Sequence, residues 1–440
     1  MKIIRYTRAI VCTALPMCAM APEASAEVWT LDSCVNYAVD HNITLRQQQL
    51  RTASGELDVT SAKDAFLPTL SASASESFSF GRGLTTDNTY VDRNTSNFQW
   101  GVNLNVPLFQ GLENVRRLKV AKSTLEQTLL EYEAAKDDLT LNIITQYLQV
   151  LYSREVEAAS RSQLAYSEYE VERQESLVNA GKVPEADLLD AQAQRARDRQ
   201  QLVASTADVT TQLITLANLL QLPSADDFDV APLGDSSPLL PSAETVITDA
   251  SARNSALLAA RQGIRVADDN ISLAKSGWLP RLSFTAGTGS SYYTVGGMHN
   301  ESFGAQMRHN FSTYLGFQLS VPIFDAFSTR NNVRRARLQR LEAELEADRQ
   351  ESELFKTIRL AHTQAVGARE KYLASEETLE KTRMSFIATQ EKYSLGRATP
   401  YEFEQAKTNL FQTEITRLQA RYEYILRCRI LRFYQKEPLL

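Results

Sequence analysis

Hydrophobic and polar side chains alternate along four segments of the chain: 68–80, 97–108, 281–293 and 313–323. In the second segment, apolar residues from Phe98 to Leu108 occupy every even position, while Asn, Gln, Gly and Pro occupy the odd positions. A period of two is typical of a β-strand with one apolar and one polar face. The four segments therefore predict four amphipathic strands.

The length of these strands favours a membrane β-barrel. Each has about a dozen residues, whereas strands of globular proteins usually have about five or six and a membrane crossing takes about 9–11. Aromatic residues also gather near the strand ends, as in the interfacial girdles of a barrel. They are Phe66, Phe78, Phe80, Phe98, Trp100, Phe109, Trp278, Tyr292 and Phe324. The alternative, a half-buried antiparallel sheet in a soluble protein, stays open at this point.

Most of the remaining chain predicts helix. Residues 111–178 and 328–394 contain no proline, and about 67 residues of helix would be about 100 Å long. Apolar residues seven apart, from Leu118 to Leu139, predict a narrow coiled-coil seam. Such a helix suits a lone rod or the wall of a water-filled tube. Four further helices are predicted at 31–66, 184–221, 243–278 and 400–435.

The chain contains two copies of one unit. "AFLPTLSAS" at 65–73 returns as "GWLPRLSFT" at 277–285, and "GVNLNVPLF" at 101–109 returns as "GFQLSVPIF" at 316–324. A third pair is "LVNAGKVPEADLLDAQ" at 177–192 and "KYSLGRATPYEFEQAK" at 392–407. The repeats are predicted at 27–222 and 243–440, with the linker at 223–242.

Four prolines are predicted to mark the corners between strands and helices. Proline ends a helix and is tolerated in a sheet only at strand ends or edges. The corner residues are Pro68, Pro107, Pro280 and Pro322. In both copies 74 residues separate the second corner from the glycine of the helical turn, Pro107 from Gly181 and Pro322 from Gly396.

The first 26 residues are typical of a secretory signal peptide. A basic start and a short apolar stretch precede Ala24-Ser25-Ala26, a small-residue cleavage site before Glu27. The alternative of lipid attachment at Cys18 is disfavoured, because Leu15-Pro16-Met17 offers no small residue. No apolar run of 18 or more residues follows, so hydropathy predicts no transmembrane helix, and a β-barrel would leave no hydropathy peak.

Charge and composition narrow the class of protein. The net charge of −6 argues against a general nucleic-acid binder. The scattered histidines, the absence of a phosphate-binding loop and the absence of a nucleophile elbow argue against an enzyme, so no cofactor or metal is expected. Cleavage would leave only Cys34 and Cys428, for which a single bridge and two buried free thiols are both compatible, with free thiols favoured.

The turns between paired long helices hold the most concentrated polar residues. They are Asp187 and Asp190 after Gly181, Glu402 and Glu404 after Gly396, and Tyr393 and Arg397 beside the second turn. In a monomer, acids in a first helical turn are favoured by the helix dipole. If the tips converge around an axis, the carboxylates would form rings that attract cations.

These motifs together resemble the TolC-like outer membrane efflux protein family. The resemblance covers about residues 29–436 and is carried by the doubled "LP.L" and "VPLF"/"VPIF" strand ends and the two tip motifs. It implies a mixed fold, a membrane β-barrel on a long α-helical coiled-coil barrel, in a homotrimer that shares one twelve-stranded barrel. It also implies the outer membrane of a Gram-negative bacterium, a long periplasmic extension, and a passive exit duct for tripartite efflux or type I secretion. The implied partners are a periplasmic adaptor and an inner-membrane pump of RND, ABC or MFS type.

The resemblance also implies roles for individual tip residues. Tyr393 and Asp187 match the partners of a latch that holds the periplasmic end shut, and Arg397 lies one residue before the position of the family's latch arginine. Glu402 matches an acid of the ring lining the aperture, which Asp190 would also line. Gln405 replaces the second ring acid, so cation binding should be weaker. A periplasmic adaptor and a soluble coiled-coil scaffold remain as alternatives from the helical pattern alone.

Overall fold

The computed structural model describes residues 27–84, 88–224, 228–233 and 240–436. The predicted signal peptide and the lipidation alternative at Cys18 lie outside the described residues, as does part of the predicted linker. The helices are α1 (Leu31–His41), α2 (Ile43–Asp64), α3 (Glu113–Asn179), α4 (Glu185–Leu220), α5 (Ala243–Arg253), α6 (Ser255–Ala274), α7 (Phe303–His309), α8 (Ser328–Ser394) and α9 (Pro400–Tyr434). The strands are β1 (Glu27–Trp29), β2 (Thr69–Ser79), β3 (Arg82–Leu84), β4 (Tyr90–Asp92), β5 (Thr95–Gln110), β6 (Phe228–Val230), β7 (Arg281–Val295) and β8 (Ser312–Ser320).

Two helical hairpins dominate the structure. The long helices α3 and α8 have 67 residues each, and they pair with α4 and α9 respectively. Gly181 and Gly396 end the long helices with φ of +68° and +69°, a left-handed conformation that glycine adopts without a steric penalty. Within the described residues, none of the helices is both long and apolar enough to cross a membrane.

The single helices predicted for 31–66 and 243–278 are wrong, because each is broken at an asparagine. Asn42 has ψ of 126°, and its side chain accepts hydrogen bonds from the N–H groups that begin α2. Asn254 does the same for α6, where the N–H of Leu257 donates at 2.9 Å. Asparagine is a strong N-cap, so it ends one helix and starts the next at the same place in both copies.

The four long strands form one antiparallel sheet in the order β2-β5-β7-β8. The two repeats therefore meet where β5 pairs with β7, and β2 and β8 stand at the edges. Glycines allow close contact at this seam, since a Cβ atom on Gly289 would lie 2.4 Å from the carbonyl oxygen of Trp100.

The prolines do not all occupy the predicted corners. Pro68 and Pro280 come directly before β2 and β7, and Pro322 follows the end of β8. Pro107 instead lies inside β5, next to a shift of register between Pro107 and Phe109. The pairing of β5 with β2 has already ended at Asn105, so this proline lies where the strand lacks a neighbour on that side.

The main hydrophobic core lies where α1, α3 and α4 meet a short parallel pair of strands, β1 and β6. The sequence pattern did not predict this pair. The buried hydroxyl of Tyr147 donates to the carbonyl oxygen of Ala231 at 2.6 Å and so ties α3 to the segment after β6. Cys34 and Cys428 are both buried free thiols, as favoured from the sequence.

The packing order of the helices matches the order of the strands. Beside the sheet α2 packs on α3, α3 on α6 and α6 on α8, and toward the tips α3 contacts both α4 and α9. Helices α2 and α8 thus stand at the two ends of one row, just as β2 and β8 stand at the two ends of the sheet.

Candidate functional site at the helical tips

The tip residues singled out in the sequence line two separate clefts. A cleft of about 210 Å³ lies among α3, α4, α8 and α9, and its lining includes Asp187, Asp190 and Tyr393. A cleft of about 620 Å³ lies between α8 and α9, and its lining includes Arg397, Glu402 and Gln405. Within one chain, the structure therefore brings Asp187 near Tyr393 but leaves Arg397 in the other cleft.

Tyr393 joins α8 to α3 through a buried hydrogen-bond network. Its hydroxyl donates to Glu170 Oε1 at 2.7 Å and accepts a hydrogen bond from Gln174 Nε2 at 2.6 Å. Gln174 Nε2 also lies 2.8 Å from the same oxygen of Glu170. Burial, reinforced by the Glu170 carboxylate, raises the pKa of Tyr393 well above its usual value. The phenol therefore stays protonated and remains a donor.

The ring of Tyr393 is also packed between helices. It stacks on Phe403 of α9 with 4.5 Å between centroids and an interplanar angle of 11°. The guanidinium carbon of Arg173 lies 4.5 Å from the Tyr393 centroid, a cation–π geometry. Arg173 is also an ion-pair partner of Glu170, at 3.3 Å. One side chain of α8 thus fixes α3 and α9 relative to each other.

A second buried contact joins α9 to α4. Lys407 is only 3% exposed, and its Nζ lies 2.8 Å from Glu404 Oε2 and 3.8 Å from Asp198 Oδ2. Gln194 Nε2 donates to the other oxygen of Asp198 at 2.9 Å. Burial raises the pKa of Glu404 above its usual value, although Lys407 opposes the shift.

The predicted latch partners do not bond to each other within the chain. Asp187 is half-buried and Asp190 is exposed at the start of α4, whereas the hydrogen bonds of Tyr393 go to Glu170 and Gln174. Both aspartates still lie beside Tyr393 in the smaller cleft. The latch role of Asp187 therefore stays a prediction.

Glu402 has a local structural role that the sequence reading did not assign. Its carboxylate accepts a hydrogen bond from the N–H of Thr399 at 2.8 Å, and the Thr399 hydroxyl accepts one from the N–H of Glu402 at 3.2 Å. This reciprocal pair is a capping box that starts α9. The bond from Thr399 lowers the pKa of Glu402, so this exposed carboxylate is ionised at neutral pH.

Four buried residues of the tip were missed in the sequence: Glu170, Gln174, Asp198 and Lys407. The sequence did indicate that one of them is buried. Gln174 lies on the same seven-residue spacing of α3 as the predicted coiled-coil seam from Leu118 to Leu139. Ser160 and Ser167 lie on the same line and are buried. The seam therefore runs on to the tip with polar residues in place of leucine.

Long helical hairpins joined to an amphipathic sheet are the architecture of a class of solved bacterial outer membrane channels. A solved structure of similar fold is the Campylobacter jejuni CmeC outer membrane channel, with a TM-score of 0.75, 18% identity, and coverage of 93% of this chain and 87% of that one.

The sequence comparisons identify the family. The outer membrane protein TolC of Vibrio cholerae is 25% identical over 91% of this chain and 91% of its own length. The alkaline protease secretion protein AprF of Pseudomonas aeruginosa is 25% identical over 78% of this chain and 70% of its own length. A sequence model of the outer membrane efflux protein family matches residues 35–221 and 246–433. The chain belongs to the outer membrane efflux protein family, which confirms the resemblance seen in the sequence. The prediction that the protein lies in the outer membrane is confirmed as well.

Proposed function

We propose that this chain is one subunit of a homotrimeric exit duct in which three sheets close one twelve-stranded barrel. The duct would serve a tripartite efflux or type I secretion system as a passive channel, together with a periplasmic adaptor and an inner-membrane pump of RND, ABC or MFS type. Family membership supports the exit-duct function. The observation that supports the assembly is that β2 and β8 form the two edges of the four-stranded sheet.

The sheet offers two complementary edges to neighbouring copies. Among the described strands, β2 and β8 each pair on one side only, and backbone groups left unpaired in lipid cost several kcal/mol each. The apolar side chains of the edge strands also face outward, with Leu70 72% exposed and Phe317 73% exposed. Pairing β2 of one copy with β8 of the next would satisfy both edges and close a ring.

The helices end in the same complementary way. Ile43, Leu50 and Leu57 lie seven residues apart on α2 and are exposed, as are Leu338 and Leu345 on α8. Exposed apolar residues at heptad spacing are typical of a coiled-coil seam that lacks its partner. The contact of α2 with α8 of a neighbour is heterologous, and such contacts give closed rings when the rotation closes.

The tips would form the gate of this duct. We assign Asp187, Tyr393 and Arg397 to the latch, and Glu402, Gln405 and Asp190 to the aperture lining. Helix α4 begins with the acids Glu185 and Asp187, and Arg397 is exposed in the cleft between α8 and α9. In a ring, α8 of one copy stands next to α4 of the following copy, so Arg397 would face the acidic start of that helix.

Membrane fractionation with analysis of the oligomer tests the assembly. We expect a trimer in the outer membrane that dissociates to monomers when heated in detergent. Leu57→Asp should reduce the trimer, because it places a charge in the proposed α2–α8 seam. Gln49→Glu adds a charge at an exposed position of α2 off this line and should leave the trimer intact. A soluble periplasmic monomer would favour an adaptor or scaffold instead.

Glu402→Gln tests the aperture. Glutamine can keep the capping box, so α9 should begin normally while the ring loses three charges. We expect weaker block of the channel by multivalent cations in planar bilayers. Block equal to that of the unaltered protein would remove Glu402 from the aperture.

A further inference from the structure

The tip contains more buried acids than buried bases. Asp198 of α4 and Glu404 of α9 share the ammonium of Lys407, and Glu170 of α3 lies close enough to Glu404 to raise its pKa further. Glu170 and Asp198 are 4% and 6% exposed, and the side chain of Glu404 is 26% exposed. Lys407 reaches Glu404 and Asp198 at 2.8 and 3.8 Å. Asp198, Glu404 and Lys407 belong to neither the latch nor the aperture assigned above, whereas Glu170 accepts the hydrogen bond of Tyr393.

The remaining charges around Glu404 do not cancel this excess. From α3, Arg173 is already paired with Glu170 at 3.3 Å. From α4, Arg197 lines the cleft together with two further acids, Asp187 and Asp190.

Besides the charged pair of Glu170 and Arg173, helices α3 and α8 add two neutral hydroxyls near Glu404. These belong to Tyr166 and Tyr393, and both phenols have a pKa raised chiefly by burial. The cleft is therefore lined by four carboxylates and one base, Arg197, and Glu404 shares the neighbouring Lys407 with Asp198.

We propose that Glu404 makes the closed tip responsive to protons, so that protonation of this carboxyl group tightens the packing of the two hairpins. This inference rests on the proposed gate. When Glu404 is ionised, one buried ammonium must balance two carboxylates, the buried Asp198 and the partly buried Glu404, and like charges repel more strongly there than in water. A neutral Glu404 leaves Lys407 to Asp198. Separation of the hairpins would return Glu404 to water and remove this constraint.

The direction of the effect follows from linkage. Burial raises the pKa of Glu404 in the packed tip, and in a solvated, open tip that pKa would fall toward its usual value. The closed state therefore binds the proton more tightly and gains stability as the pH falls through the raised pKa. As the pH rises above it, that stability is lost. Each pH unit within the linked range would change the closed-to-open ratio by up to about tenfold per subunit.

Glu402 provides a matched control in the same helical turn. Its pKa is lowered by the hydrogen bond from Thr399, whereas burial raises that of Glu404, so Glu402 takes up its proton at a lower pH than Glu404 does. Glu404→Gln and Glu402→Gln make the same chemical change two residues apart. Glu402→Gln should change the block by multivalent cations described above, but only Glu404→Gln should change how opening responds to pH.

Single-channel recordings in planar bilayers between pH 5 and pH 8 test the proposal. We expect the unaltered trimer to open less at pH 5, Glu404→Gln to open little at either pH, and Glu402→Gln to keep the pH response. A pH-independent unaltered channel would overturn the proposal, as would a Glu404→Gln channel with the full response. In either case conducting channels would leave the proposed function standing, whereas the absence of any channel would contradict the proposed function itself.

Lys407→Met gives an independent measurement. It leaves Glu404 and Asp198 without their ammonium, so the tip should open several-fold more at pH 8 and close again at pH 5. Combining it with Glu404→Gln should restore part of the closure at pH 8, because only Asp198 then stays charged without its ammonium. If Lys407→Met opens the channel equally at both pH values, protonation of the acids does not control the tip and the proposal is wrong.

Discussion

Tyr393→Phe removes one oxygen atom from the centre of the tip and should favour the open gate. The phenol makes two hydrogen bonds, one of them to the carboxylate of Glu170, and a bond to a charged group contributes roughly 1.5–3 kcal/mol. Glu170 would keep Gln174 and Arg173 as partners, so the lower part of this range applies, about 1.5–2 kcal/mol per subunit. Because about 1.4 kcal/mol is a factor of ten in an equilibrium constant, the open-to-closed ratio should rise roughly 10- to 30-fold per subunit.

The assay is the distribution of conductance states in planar bilayers at fixed pH and salt, with the amount of trimer measured in parallel. Tyr372→Phe is the matched control. The Tyr372 hydroxyl also donates to a carboxylate, Glu376 Oε1 at 2.7 Å, but within α8 and away from the tip. An unchanged open fraction for Tyr393→Phe, at a normal level of trimer, would refute the reasoning.

Two further changes test the frame that holds the tip. Asn42→Ala removes the cap of α2 and the hydrogen bond from Asn42 Nδ2 to the carbonyl oxygen of Leu219 at 3.2 Å. It should lower the free energy of unfolding by about 1–2 kcal/mol, which circular dichroism would show as a lower Tm. An unchanged Tm would show that the cap is dispensable. Gly289→Ala would place a methyl group 2.4 Å from the carbonyl oxygen of Trp100 and should reduce the trimer in the outer membrane, whereas Gly304→Ala, which meets open space, should not. Equal amounts of both variants would contradict the close packing of β5 on β7.

The strands could be predicted because their signal is local. Alternation along the chain depends only on which residues face lipid or solvent, and β5 contains the whole segment 97–108. The breaks at Asn42 and Asn254 were harder to see, because apolar spacing continues on both sides of each asparagine. A capping side chain decides there between one long helix and two.

The partners of the tip residues could not be read in the same way. Tyr393 and Glu170 are 223 residues apart, and no local period relates two such positions. Spacing does indicate which side chains point inward: Tyr393 lies 35 residues after the buried Ile358, a whole number of heptads. That places Tyr393 on the buried face of α8. Which buried acid it contacts depends on how α3 and α8 pack against each other in three dimensions.

The seam between β5 and β7 has a consequence for assembly. In the proposed trimer six repeats surround one axis, and because each chain contains two repeats, three of the six pairs of neighbours are already covalently linked. In general, two partners joined by a short flexible segment meet at an effective concentration of the order of millimolar. Three of the six contacts between neighbouring repeats then form within a single chain, so their formation does not depend on the concentration of the protein. In the proposed trimer, the duplication would therefore favour assembly when the concentration of the protein is low.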